Sequence, residues 1–185
     1  LGLIFALSLK LFSFTVPPMR YRRLARERAI QFLFQHDMNP PEVIEEELDR
    51  FWESQTSAAI AEDHKPSTWG EPPEPSPPTS EDKEVRRFGE PLIRGVLEKL
   101  SELDGIIGEQ TSNWDIERIA KVDRNILRLA IYEMLHRDDI PPVVSINEAI
   151  DIAKKFSTEN SGRFVNGILD KVKGRLMRPA RTTAN

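Results

Sequence analysis

The 185-residue sequence has few of the residues that carry most enzyme and metal chemistry, since it contains no cysteine and only three histidines. Without cysteine there can be no disulfide framework, no thiolate zinc site and no cysteine nucleophile. The histidines at 36, 64 and 136 lie too far apart for a metal motif such as H-E-x-x-H. Phosphate-binding loops, G-x-G-x-x-G dinucleotide motifs and G-x-S-x-G nucleophile motifs are also missing. These absences predict a non-enzymatic binding protein that uses no metal and no cofactor.

Residues 1–18 are strongly apolar, but the run is shorter than the roughly 20 residues that a membrane helix needs. Lys10 interrupts the run, and no small-x-small cleavage site follows it, as a secretory signal would require. Met19 comes directly after two prolines and before an arginine-rich stretch. We interpret Met19 as the natural start and residues 1–18 as an over-extended, non-native segment. A membrane anchor is the alternative that this composition leaves open.

The formal charge of −4 is distributed unevenly along the chain. Residues 19–34 contain five arginines against one glutamate, which gives +4, whereas residues 37–84 contain fourteen acids against three bases, which gives −11. Beyond Asp170 the chain is basic again, and we expect residues 177–185 to form a basic flexible tail. A basic arm beside an acidic middle is typical of proteins that bind a polyanion. A solvated helix face that happens to carry arginines is the alternative.

Apolar residues recur at helical spacing through most of the chain, and no segment alternates as a strand would. The predicted fold is all-α. Predicted helices cover about 22–35, 43–52, 83–99, 103–110, 122–135 and 162–176. A capping box at Ser145 to Glu148 predicts the start of one more helix, which contains Phe156 on its apolar side. Pro91 should kink the third helix or mark its first turn. Prolines and acids over 56–80 predict a disordered or extended insert, either a plain linker or a proline-rich ligand.

Four strings of this sequence together resemble the NusB family. They are RRLARE at 22–27, VDRNILRLAIYEM at 122–134, IPPVVSINEAI at 140–150 and RFVNGILDK at 163–171. The resemblance covers about 19–176 except the proline-rich insert. It implies a seven-helix fold of two small helical bundles and no catalytic activity. It also implies a cytoplasmic protein with no membrane partner. Together with the small-subunit ribosomal protein NusE, such a protein binds single-stranded boxA RNA of ribosomal RNA operons and acts in the RNA polymerase antitermination complex.

Matched position by position, the resemblance assigns RNA contact to eight residues. These are Arg22, Arg23, Arg26, Phe34, Asp123, Asn160, Arg163 and Phe164. Arginines bind phosphates and stack on unpaired bases, and aromatic rings give sequence-tolerant stacking surfaces. Phe34 stands where the family often has tyrosine, and Leu24 replaces an arginine of some relatives, for which Arg28 could partly compensate. Core packing explains the periodicity of the two phenylalanines equally well.

A second hypothesis comes from a different class of protein, because NusB-like domains also precede the catalytic domain of ribosomal RNA cytosine methyltransferases. Such an enzyme needs catalytic cysteines and a glycine-rich cofactor loop, and these 185 residues contain neither. This chain would then be an RNA-binding fragment of the enzyme. The arginine-rich arm favours the antitermination factor. A helical adaptor without RNA affinity is a third hypothesis.

Overall fold

The computed structural model describes residues 19–63, 77–111, 116–158 and 160–176. Within these ranges the secondary structure is helical, with no strand. The helices are α1 (Met19–Met38), α2 (Ile44–Asp63), α3 (Ser80–Glu98), α4 (Leu100–Gln110), α5 (Lys121–His136), α6 (Pro142–Phe156) and α7 (Ser161–Leu176), with a short 3₁₀ turn at Ile116–Arg118. The all-α prediction is confirmed. The expectations for residues 1–18, 64–76 and 177–185 lie outside the described residues.

Helices α1–α3 form one small bundle and α4–α7 the other, and a continuous apolar core joins the two. Helix α1 supplies Ala25, Ala29 and Leu33 to this core at helical spacing, and α5 supplies Ile126 and Leu127. Both helices pack against several others, so they form the joint between the bundles. None of the helices in the described part of the chain combines the length and hydropathy that crossing a bilayer would need.

A largely half-buried group of charged residues fixes the C-terminal end of α1 on α5. Asp37 accepts hydrogen bonds from Arg124 Nη2 at 2.9 Å and from Arg128 Nη1 at 2.9 and 3.0 Å. Arg128 also donates to Asp104 of α4 at 2.6 and 2.7 Å. Because α1, α4 and α5 share these bonds, their relative positions are held by directed contacts as well as by apolar packing.

The proline-rich insert is shorter than the composition predicts, and the prediction for 56–80 is wrong at both edges. Helix α2 continues through Asp63, because residues 57–63 are mostly small helix-forming residues and the first proline comes only at Pro66. Helix α3 begins at Ser80, where Thr79 and Asp82 form a capping box: Thr79 Oγ1 accepts from the Asp82 N–H at 3.2 Å, and Asp82 accepts from the Thr79 N–H at 2.8 Å.

Pro142 corrects the sequence analysis, and Pro91 excludes one of the two alternatives that the sequence left open. Helix α6 begins at Pro142, three residues before the predicted capping box, because the fixed φ of proline suits a first helical position. Ser145 is therefore buried inside the helix, its Oγ caps nothing, and the predicted box with Glu148 is wrong. Pro91 lies well inside α3 rather than in its first turn, and its side chain is exposed.

Close packing between α3 and α5 depends on a residue without a side chain. Gly95 faces the ring of Tyr132, and a Cβ atom at this position would overlap that ring. Tyr132 stacks in turn near His136, with 5.3 Å between ring centroids. A larger residue at 95 would therefore separate the two helices.

Candidate nucleic-acid interface

The arginines of α1 differ sharply in their surroundings. Arg23 is exposed and pairs with two carboxylates of α6: its Nε and Nη2 donate to Glu148 at 3.1 and 2.9 Å, and Nη2 also donates to Asp151 at 2.8 Å. The hydrogen bonds that Arg23 donates to Glu148, together with the charge of Glu148 and the contacts with Asp151, raise the pKa of Arg23, so this guanidinium stays charged. Arg23 is thus a surface cation that already has anionic partners.

Arg26, to which the family resemblance assigns RNA contact, is buried in this structure. It is 3% exposed, and its Nε donates to the equally buried Glu133 of α5 at 2.8 Å. Its guanidinium carbon also lies 5.3 Å from the centroid of the Phe88 ring, and that of Arg22 lies 5.2 Å away. Arg26 is therefore a core cation that joins α1 to α5, and Arg22 is a half-buried cation stacked on α3.

One side of α1 leads from Arg23 to Phe34. Positions 23, 27 and 34 lie on the same side of an α-helix, and eleven residues span about 16 Å. Glu27, between them, accepts a hydrogen bond from Lys155 of α6 at 2.7 Å. Phe34 is half-buried and lies one turn before Asp37, so it is close to the start of α5. This side of α1 therefore runs along α6 toward the α6–α7 turn.

Asp123 is also buried, and its role is to position its neighbours. It is 6% exposed, and its Oδ2 accepts a hydrogen bond from Ser161 Oγ at 2.8 Å. Ser161 contacts Ser157 Oγ at 2.9 Å and accepts from the Thr158 N–H at 3.2 Å. Direct contact with RNA by Asp123 would require this end of the bundle to open. In the structure, Asp123 holds the start of α7 against α5.

The α7 end of this network presents the other three predicted residues. Asn160 is exposed, and its carbonyl oxygen accepts from the backbone N–H groups of Arg163 and Phe164, both at 3.1 Å. Arg163 is exposed and forms no ion pair with the described residues. Phe164 is half-buried: part of its side chain packs against the core, and the rest is accessible for base stacking.

Two residues of this corner were missed by the sequence analysis. Phe156, placed on the apolar side of its helix from the sequence, is 49% exposed at the C-terminal end of α6. Lys155 Nζ lies 4.8 Å from the centroid of its ring, within the range of a cation–π contact. The pattern that could have revealed them is a pair of lysines and an aromatic residue in a last helical turn, after the buried Ile152 and Ala153.

The α6–α7 corner, defined here as Lys155, Phe156, Asn160, Arg163 and Phe164, therefore brings together two cations and two aromatic rings. The contact between Ser157 and Ser161 ties the two halves of the corner to each other. Arg22 and Arg26 are not part of it, because both are held against Phe88. Exposed cations beside aromatic rings are typical of surfaces that bind single-stranded nucleic acid. The described fold is all-helical, and this corner is its candidate nucleic-acid interface.

Comparison with known proteins gives the family. The NusB family model matches residues 23–174. Transcription antitermination protein NusB of Anaeromyxobacter dehalogenans (strain 2CP-1 / ATCC BAA-258) is 44% identical over 151 residues, which cover 82% of this chain and 89% of the relative. The protein of the same name from Thermodesulfovibrio yellowstonii is 37% identical over 158 residues, covering 82% of this chain and 90% of the relative. The chain belongs to the NusB family.

Solved structures share this fold. T. maritima NusB matches with a TM-score of 0.61 at 37% identity and covers 83% of this chain and 90% of its own. A crystal structure of antitermination factors NusB and NusE with double-stranded RNA matches at a TM-score of 0.59 and 23% identity, covering 85% of this chain and 99% of that one. The resemblance and the seven-helix fold are confirmed. The relatives are named as antitermination proteins rather than enzymes, which agrees with the non-enzymatic prediction.

Proposed function

We propose that this protein is an RNA-binding transcription antitermination factor of the bacterial cytoplasm. It binds single-stranded boxA RNA of ribosomal RNA operons together with the ribosomal protein NusE and acts within the RNA polymerase antitermination complex. The relatives at 37–44% identity carry the name of antitermination proteins, and they match over about nine-tenths of their own length. That coverage favours an antitermination factor over a fragment of a methyltransferase.

The observation that carries the proposal is the exposed cation–aromatic arrangement of the α6–α7 corner. Arg163 neutralises one phosphate, Lys155 reaches a second by exchanging or sharing its carboxylate partner Glu27, and Phe156 and Phe164 offer ring faces to two unstacked bases. The corner also lies at the N-terminal end of the sixteen-residue helix α7, where the helix dipole favours an anion. A helical protein with net charge −4 confines RNA to such a place because most of its surface repels phosphate.

Arg23 extends this surface along α1, at about 16 Å from Phe34. An RNA phosphate that reaches Arg23 has to replace or share the carboxylates of Glu148 and Asp151. Guanidinium binds phosphate and carboxylate with the same two-pronged geometry, so the exchange keeps the hydrogen bonds of Arg23 satisfied. Arg23 is therefore a secondary phosphate contact whose affinity is reduced by its own neighbours.

The proposal of NusE as a partner is supported by the structural relative, which is a crystal structure of NusB and NusE with double-stranded RNA. A single corner with few cations gives a modest affinity, since each exposed charge contributes little alone. A second protein that binds RNA beside the corner adds phosphate and base contacts on the same strand. We expect NusE to raise the RNA affinity of this chain for that reason.

Binding of a labelled single-stranded boxA RNA, followed by fluorescence anisotropy, tests the proposal. Arg163→Glu should weaken binding at least tenfold, because it replaces a phosphate contact by a repulsive charge. Arg118→Glu is the matched control, since Arg118 is an exposed arginine of the 3₁₀ turn and lies outside the α6–α7 corner. Equal losses for the two variants would show that net charge alone drives binding, and the corner would not be the site.

A further inference from the structure

The exposed side of α7 continues beyond the α6–α7 corner. Arg163 and Phe164 belong to the corner, whereas Gly167 and Lys171 lie further along the helix and have no part in the site described above. Phe164, Gly167 and Lys171 are spaced by three and four residues, so they lie on one side of α7. The helix rises about 12 Å from Arg163 to Lys171. This side of α7 therefore leads directly away from the corner.

Gly167 is not needed for packing or for backbone conformation in the described part of the chain. It is exposed inside an α-helix, and a Cβ atom there would meet no heavy atom within 4 Å apart from its chain neighbours and the local helix backbone. Glycine inside a helix is less stable than alanine, so this position keeps a residue that the fold does not require. A flat, exposed position one turn after Arg163 lets another backbone approach α7 closely.

The charge of α7 favours a polyanion. The helix has four basic residues against one acid, which gives +3. Lys171 is exposed, and among the described residues its Nζ donates to the neutral backbone carbonyl of Gln110, at 3.3 Å. No carboxylate of the described residues forms an ion pair with Lys171. Lys171 is therefore a cation that is free to neutralise a phosphate.

The acids of α7 and of the adjoining end of α4 have other partners. Asp170 accepts a hydrogen bond from the side-chain amide of Asn166 at 3.0 Å, and Asn166 lies more than a third of a turn around the helix from Lys171. Glu109 of α4 is paired with Arg175. Neither carboxylate occupies the side of α7 that contains Gly167 and Lys171.

Charge also distinguishes Gly167 from an equally open glycine in another helix. Gly105 of α4 is exposed, and a Cβ atom there would likewise have no neighbour within 4 Å. Helix α4 carries three acids and no base, so its surface repels phosphate. Gly105 is therefore a matched control for Gly167, with the same local space and the opposite surrounding charge.

We propose that single-stranded RNA nucleotides that flank boxA run along this side of α7, with their sugar–phosphate backbone against Gly167 and one phosphate on Lys171. Contacts with the RNA backbone carry no sequence information, so this segment binds any flanking sequence. The inference rests on the proposed binding of boxA RNA at the α6–α7 corner and extends it along the chain. The flanking nucleotides add one phosphate contact to those that boxA itself makes.

Fluorescence anisotropy tests the proposal with boxA RNA and with boxA RNA that carries a short uridine extension at either end. One of the extended RNAs should bind wild type roughly threefold more tightly than boxA at about 50 mM salt, and its plot of log K against log salt should be steeper by about 0.7. Lys171→Gln should remove that extra slope. Lys173→Gln, the same change of charge on the opposite side of α7, should retain it.

Gly167→Leu should block the flat surface and leave the fold intact. Both Gly167→Leu and the control Gly105→Leu should raise the melting temperature by about 2–4 °C, because leucine is a better helix former than glycine. Gly167→Leu should abolish the gain in affinity that the extension gives, whereas Gly105→Leu should keep it.

Three outcomes would overturn the proposal. They are extended RNAs that bind no more tightly than boxA, a salt slope of Lys171→Gln equal to that of wild type, and equal affinities of Gly167→Leu and Gly105→Leu for the extended RNA. Loss of the NusE effect in Gly167→Leu, with extended-RNA binding unchanged, would assign this surface to a protein partner instead. If Arg163→Glu weakens boxA binding and Lys171→Gln has no effect, the α7 extension alone fails and the proposed function stands.

Discussion

Arg23 of α1 and Glu148 of α6 form a two-pronged ion pair, with 3.1 Å from Nε to Oε2 and 2.9 Å from Nη2 to Oε1. The pair connects an arginine that the family resemblance assigns to RNA with a glutamate that the sequence analysis assigned to a helix cap. Glu148 instead lies inside α6, 3.8 Å from Arg26 as well. The position of this proposed phosphate contact is thus set by carboxylates that would compete with phosphate.

Removing one competitor should strengthen RNA binding. Asp151→Asn takes away an exposed partner of Arg23 and one negative charge. Exposed ion pairs are worth about 0.2–1 kcal/mol, so affinity for boxA RNA should rise roughly two- to fivefold at low salt and less at high salt. Glu98→Gln, an exposed charge removed at the end of α3, is the control. Unchanged or weaker binding by Asp151→Asn would remove Arg23 from the proposed surface.

The buried pair of Arg26 and Glu133 should act on stability. Glu133→Gln leaves Arg26 in the core with only the more distant carboxylate of Glu148, 3.8 Å away, so the loss should approach the roughly 3–5 kcal/mol of unfolding free energy that breaking a buried ion pair costs. The double variant Arg26→Met with Glu133→Leu should recover most of that loss, because no charge then remains buried. Urea unfolding measures both. A single variant as stable as wild type would contradict the assignment of Arg26 to the core.

Asp37 should make the protein sensitive to acid. Burial alone would raise the pKa of this carboxyl, but the hydrogen bond from Arg124, the charge of Arg128 and the hydrogen bond from Asn125 together lower it below 3.8. A pKa lowered in the folded state stabilises the fold above the unfolded value, and that contribution is lost as pH falls through the folded value.

Asp37→Asn tests this pH dependence. It should cost about 1–3 kcal/mol at neutral pH, as expected for hydrogen bonds to charged groups, and should reduce the loss of stability below about pH 4. Unfolding free energies from pH 7 to pH 3 give the comparison. Parallel curves for the variant and wild type would show that another group dominates the acid response.

Phe156 and Phe164 should separate RNA binding from stability. Phe156 is 49% exposed, so Phe156→Ala should cost about 1–3 kcal/mol of RNA affinity with a nearly unchanged melting temperature. Phe164 is half-buried against the core, so Phe164→Ala should reduce both RNA affinity and stability. The loss of stability should be smaller than the roughly 3–5 kcal/mol that truncating a fully buried phenylalanine costs. A melting temperature lowered equally by both variants would show that Phe156 is structural.

Helical periodicity was enough to predict all seven α-helices, because each buries an apolar stripe. Their ends were harder to place, since they depend on local chemistry. A serine followed by a glutamate suggested a cap at Ser145, but Pro142 begins the same helix a turn earlier. Helix α2 continues beyond residue 56, where composition predicted a linker, because the residues that follow are mostly small helix-forming ones.

Burial of charged residues was the least predictable feature of the site. Arg26 and Glu133 are 107 residues apart, and only the packing of α1 on α5 brings them together. A signal was present, because Arg26 is in register with Ala29 and Leu33, and Glu133 with Ile126 and Ala130. Opposite charges on the apolar sides of two strong helices would have predicted the pair.

The most direct test of the central claim is the salt dependence of boxA RNA affinity, with and without NusE, over roughly 50–200 mM salt. Contacts from Arg23, Lys155 and Arg163 to three phosphates predict a slope of about −2 in log K against log salt for single-stranded RNA. Arg163→Ala should reduce the slope by about 0.7, and NusE should raise the affinity at every salt concentration. An affinity that is independent of salt, or a slope unchanged in Arg163→Ala, would contradict RNA binding at the α6–α7 corner.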